Sequence, residues 1–123
     1  MESPSEIILK RFDAFIKNLP EIIYGCYSPN SDFIKFFPNK SNYLNFFEQL
    51  KKETLPIKID IVKVTIKNTL AQVTYIESFL HIDEGQIDYF SRTTLVKTDN
   101  GWQILKEERE KINRSSQQFS EDR

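Results

Sequence analysis

A chain of 123 residues and 14.6 kDa fits one hydrophobic core and leaves no room for two ordinary domains. One histidine and one cysteine exclude an intrachain disulfide and a zinc site built from His and Cys pairs, so neither a metal nor a cofactor is expected. Basic and acidic residues number 8 and 8 over positions 1–61 and 9 and 10 over 62–123, for a net charge of -1; with no basic stripe to neutralise phosphates, nucleic acid is not an expected partner.

The opening MESPSEIILK carries an acid and a proline where a signal peptide has basic residues. No apolar run approaches the roughly 20 residues of a membrane span, so the expectation is a cytoplasmic chain with no membrane partner. Ser3-Pro4-Ser5-Glu6 reads as a helix start, with Ser3 as N-cap, Pro4 at the first helical position and Glu6 closing a capping box. Ile8, Leu9, Phe12, Phe15, Ile16 and Leu19 follow at three-and-four spacing as the buried stripe, with Lys10, Arg11, Asp13 and Lys17 placed mainly opposite. Pro20 interrupts this pattern and starts a short second helix reaching about Tyr27. Cys26, flanked by Gly25 and Tyr27 with no basic neighbour in sequence, reads as a packed thiol.

Ser28 to Asp32 is a dense turn cluster. Phe33 to Phe37 is short and apolar, ending at Pro38, and is expected as a small strand or an irregular crossover. Ser41 or Asn42 is the expected cap of a third helix carrying Tyr43, Leu44, Phe46, Phe47 and Leu50 and closed by Lys51 and Lys52. From Pro56 the period changes to two. Ile57, Ile59 and Ile61 alternate in one phase and Val62, Val64 and Ile66 in the other, as one inserted residue in a ladder would produce. Turns at 67–69 and 83–85 and at Asn100-Gly101 then separate strands expected over Leu70–Ile82, Gln86–Lys97 and Trp102 to about Glu108. The domain is expected to span residues 1–112, followed by a polar, disordered tail over 113–123.

Helices first and hairpin-linked strands second predict an α+β fold, with the N-terminal helices packed on a strongly curved antiparallel sheet of about four long strands. A bent sheet under helices leaves a concave space between them. The passage Ile22-Ile23-Tyr24-Gly25-Cys26-Tyr27-Ser28-Pro29-Asn30-Ser31, the segment Asn68 to Tyr75, and above all Ser91-Arg92-Thr93-Thr94-Leu95-Val96-Lys97 followed by Asp99-Asn100-Gly101-Trp102-Gln103-Ile104 resemble the nuclear transport factor 2-like superfamily. That superfamily includes SnoaL-like proteins, ketosteroid isomerases and the association domain of calmodulin-dependent kinase. The resemblance covers about residues 5–110 and implies a cone-shaped scaffold that hosts many functions. It also implies a homodimer through the sheet face. Relatives resembling ketosteroid isomerase carry an acidic base where this chain has Lys35 or Phe36, neither of which can abstract a proton as a carboxylate does.

The sequence therefore points to a binding or accessory domain, with a pocket enzyme or a protein-interaction module as alternatives. Aromatic residues are 13% of the chain, and each can bury about 150–250 Å². Phe12, Tyr27, Phe33, Tyr75, Phe79, Tyr89 and Trp102 are the candidate lining for a small apolar ligand. Glu77, His81 and Arg92 are the polar candidates for chemistry within it, while Glu107 and Arg109 extend the last strand. Strand alternation puts Ala71, Val73, Tyr75, Glu77, Phe79 and His81 on one face. Whether the rings fill the cone or leave it hollow decides between core and pocket.

Overall fold

The Ser3 hydroxyl accepts the Glu6 backbone N–H at 3.2 Å and the Glu6 carboxylate accepts the Ser3 N–H at 2.7 Å, so the capping box starts helix α1 (Pro4–Ile16) at the expected residue. The computed structural model describes residues 1–112; the segment 113–123, expected as a tail, lies outside the described residues. After Asn18 in a left-handed conformation (φ 58), Pro20 opens α2 (Pro20–Gly25).

Two local expectations are corrected in the next stretch. Asp32–Phe36 is a helix, α3, and not a strand or an irregular crossover. Ser31 decides this, because its hydroxyl accepts the Ile34 N–H at 3.2 Å and donates to the Ser28 carbonyl at 2.7 Å, capping one turn that the apolar run alone does not specify. Helix α4 (Lys40–Glu53) is capped by Asn39, so Ser41 and Asn42 lie inside it. The Asn39 Oδ1 accepts both the backbone N–H and the hydroxyl of Ser41, at 3.0 and 2.7 Å. Lys51 and Lys52 close the helix as expected.

Strands β1 (Thr54–Lys67), β2 (Leu70–His81), β3 (Gly85–Thr98) and β4 (Gly101–Lys111) form one antiparallel sheet in the order β1-β2-β3-β4. Gly85 and Gly101, with φ of 79° and 96°, begin β3 and β4 in the left-handed region that glycine adopts without strain. The change of phase in β1 is a bulge at Val62, since Ile61 pairs with Tyr75 and Lys63 with Thr74. A second irregularity falls at Ile57, and a third where Thr94 pairs with Lys106 but Leu95 with Ile104. Such insertions increase the local bend and twist, and they curl this sheet. Strand β4 runs past Glu108 to Lys111, which carries Arg109 alongside Ser91.

The helices lie against the concave face of the sheet, giving the α+β fold that the element order predicts. Ile7, Ile8 and Ala14 of α1, Ile23 of α2 and Tyr43 and Phe47 of α4 pack on Ala71, Val73, Tyr75, Leu95 and Ile104. Helix α1 is rotated from its expected setting. Leu9, Ile16 and Leu19 are 40–52% exposed, whereas the Arg11 side chain keeps only 11% of its surface in solvent. Hydrophobic spacing cannot foresee this, because a guanidinium turns inward only where buried acceptors await it.

The opposite face of the sheet is largely charged and polar. Lys58, Asp60 and Lys63 of β1, Thr74 of β2, Arg92 of β3 and Glu108 and Glu110 of β4 surround half-buried Ile76 and Phe90. The edge strand β1 carries exposed Ile57, Val62, Val64 and Ile66. Among the described residues, no helix is long and apolar enough to cross a membrane.

Candidate functional site: a ring-lined cavity with two internal ion pairs

The cone is hollow. A cavity of about 570 Å³ lies between the helices and the concave sheet face, within the roughly 300–1,000 Å³ typical of small-molecule sites. Its walls include Phe12, Tyr27, Phe33, Tyr75, Phe79 and Tyr89, together with Phe15, Tyr43 and Phe46. The rings meet one another along the walls: Tyr27 stacks on Phe33 at 3.8 Å, and Phe12 and Tyr89 each flank Phe79 at 6.0 Å. Trp102 is the exception. It is the second residue of β4, opposite Lys97, whose ammonium lies 5.9 Å from its ring, and it borders a second cleft with Met1, Cys26 and Gly101 instead.

Arg11 and Glu107 set the polar part of the cavity wall. Arg11 Nη1 donates to Tyr27 Oη at 2.7 Å and to Glu107, and Nη2 donates to Tyr75 Oη at 2.7 Å. Tyr27 Oη in turn donates to Glu107 Oε2 at 2.9 Å, and a 2.7 Å hydrogen bond joins Tyr75 Oη to Thr93 Oγ1. Helix α1, the loop at Tyr27 and strands β2, β3 and β4 are thus joined in one network. Burial opposes the Arg11 charge, but Glu107 and the two phenols more than offset it and hold the guanidinium well above its ordinary value. Burial likewise works against the Glu107 carboxylate, and Arg11 outweighs it, leaving that group below the usual range. Burial pushes the phenols of Tyr27 and Tyr75 up, and that of Tyr43 to about 12. Near neutral pH the network therefore holds one cation, one anion and protonated tyrosines.

Glu77 forms the second ion pair. It is 4% exposed; its Oε1 accepts Arg109 Nη2 at 3.1 Å and, more distantly, Ser91 Oγ at 3.4 Å. Arg109 lies over the rings of Tyr89 and Phe79, 4.3 and 5.4 Å from their centroids. His81 shares this strand face and also lines the cavity, with Nδ1 accepting the Asp83 N–H at 3.2 Å. Arg92 does not join them. Ser91 and Thr93 are buried on the concave face and leave Arg92 exposed on the other, paired with Thr74 and Glu108. Lys35 and Phe36 are exposed on α3, outside the cavity lining.

Among the described residues, no three His, Cys, Asp or Glu side chains converge as a metal site would require. Cys26 is buried, its thiol donates to the Ile22 carbonyl at 3.3 Å, and burial pushes that thiol up, away from the reactive thiolate. The arrangement can enclose an apolar body and present charge to it from Glu77 and Arg109. Arg11 and Glu107, the residues missed as cavity groups, lie 96 positions apart in sequence; their signals were an arginine beside a buried helical stripe and an acid within the last strand.

No protein-family model and no curated protein matches the chain. Solved structures do match in fold. A domain of unknown function with a cystatin-like fold from Nostoc punctiforme superposes with a TM-score of 0.69 at 16% identity, over 94% of this chain and 80% of the other. An uncharacterised cystatin-like protein from Caulobacter vibrioides gives 0.67 at 14% identity, over 92% and 89% of the two chains. A protein from Xanthomonas campestris named as a candidate calcium/calmodulin-dependent protein kinase II association domain gives 0.62 at 13%, over 88% and 84%. At these identities the likeness speaks for the backbone, and it shows that this chain has the cystatin-like α+β fold.

Proposed function

We propose that residues 1–112 form a single nuclear transport factor 2-like domain that binds a small molecule without transforming it, and that this domain self-associates in the cytoplasm. The cavity of about 570 Å³, walled by aromatic rings and carrying Glu77 and Arg109, is the observation that supports binding. A binding role takes precedence over catalysis because, of the three polar candidates, Glu77 is engaged by Arg109, His81 Nδ1 is taken by the Asp83 N–H, and Arg92 is exposed outside the lining. Self-association is supported by the sequence resemblance and by the broad sheet face that no helix of the described residues covers.

The test is a thermal-shift and NMR screen of aromatic amines, aromatic acids, fatty acids and steroids against the full chain, repeated on Thr54→Trp. Thr54 is a half-buried lining residue, so an indole there reduces the cavity. The expected result is a set of hits that lose binding in Thr54→Trp. No hit in any class, or hits indifferent to the substitution, would overturn the pocket reading. A monomer by light scattering at high concentration would remove self-association alone.

A further inference from the structure

We propose that the cavity is selective for a small organic cation, an amine carried on an aromatic or apolar body, with the Glu77 carboxylate as its counter-charge. This deepens the binding reading above and rests on it. Three features of the wall point the same way.

The first is the state of Glu77. Its Oε1 is taken by Arg109 and Ser91, while its Oε2 accepts no hydrogen bond from any described residue. No fully buried side-chain oxygen among the described residues lacks a partner, so this free oxygen is one that solvent reaches. Glu77 itself is buried and lines the cavity, and we take this acceptor as the one that faces it. A carboxylate oxygen left in that position seeks an N–H donor, and a charged donor gives the strongest bond.

The second is that Arg109 already shows where a cation sits. Its guanidinium lies 4.3 Å from the Tyr89 centroid and within 3.1 Å of Glu77, the combination of ring face and carboxylate that favours an ammonium ligand. With 48% of its side chain in solvent, Arg109 can swing aside, whereas Glu77 cannot leave its strand face.

The third is the charge balance. Arg11 is committed to Glu107 and two phenols. The charged lining beyond that pair is Glu77, Arg109 and the exposed Glu53 and Glu108, an excess of acid. An anionic ligand that captured Arg109 would strip the buried Glu77 carboxylate of its cation, a costly loss. A cationic ligand supplies a second partner for the same carboxylate.

The decisive experiment compares three matched probes on the full chain by calorimetry: 2-(2-naphthyl)ethylamine, 2-(2-naphthyl)ethanol and 2-naphthylacetate. The amine is expected to bind at least about tenfold more tightly than the alcohol, the difference one charge-assisted hydrogen bond supplies, and the acetate more weakly than both. In Glu77→Gln the amine should fall to the level of the alcohol. In Arg109→Met, a change at a half-exposed residue that preserves the apolar stem, the amine should gain affinity severalfold because its internal competitor is gone. Acetate binding as tightly as the amine, or amine affinity falling in Arg109→Met, overturns the selectivity while leaving the pocket in place. Failure of all three probes to bind, together with an empty wider screen, overturns the pocket itself.

Discussion

Arg11 occupies a place on α1 where an apolar side chain would ordinarily sit, and its neighbours are chosen accordingly. Removing it as Arg11→Ala leaves Glu107 and the phenols of Tyr27 and Tyr75 without their shared donor. Urea unfolding should show a loss of about 1–3 kcal/mol, the range for leaving buried hydrogen-bonding groups without a partner, since the phenols lose their donor while Glu107, 35% exposed, can rehydrate. The same pair makes stability pH-dependent. Since the Glu107 carboxyl is lower in the folded chain than its ordinary 4.5, its contribution is complete above that pH and is lost as pH falls through the folded value. Glu107→Gln should therefore flatten the acid limb of a plot of unfolding free energy against pH. An unchanged limb would show that other carboxylates carry it. Tyr75, Glu77 and Phe79 were legible in the sequence because strand parity fixes their shared face whatever the tertiary contacts. Arg11 was not, because helix periodicity treats any charge as solvent-facing and its acceptor arrives only when β4 is in place.

The elements were most legible where a local bond defines them. The capping box of α1 and the phase change at Val62 follow from short-range chemistry, and both appear where the residues place them. The segment around α3 was misread because a five-residue apolar run fits either period, and only the Ser31 cap separates the two. Ser31→Ala should accordingly lose about 1 kcal/mol, typical of an N-cap, and weaken amide protection at Ile34 in hydrogen exchange. Protection left intact at Ile34 would mean that packing of Phe33 on Tyr27 and Tyr43, and not the cap, holds the turn. The start of α4 slipped for a related reason: Asn39, Ser41 and Asn42 all have capping side chains, and geometry after Pro38 selected the first.

At the scale of the molecule, the two borders of the sheet are treated differently. The β4 border is partly occupied, since the Ser28 N–H donates to the Ile104 carbonyl and the Ile104 N–H to the Cys26 carbonyl, each at 2.8 Å. Among the described residues the β1 border has no neighbouring strand in the sheet, and exposed Ile57, Val62, Val64 and Ile66 lie along it. A bare edge of this kind is a template for uncontrolled strand addition and amyloid-like growth. The bulges at Ile57 and Val62 break its straight run, and Lys58, Lys63 and Lys67, all exposed, place like charges between the apolar residues. The curvature that opens the cavity thus comes with colloidal protection built into the same strand. Replacing the three lysines with threonine should leave the cavity and the fold intact but lower the temperature at which the protein precipitates and raise thioflavin fluorescence on incubation. A triple variant as soluble as the parent would assign that protection to the bulges alone.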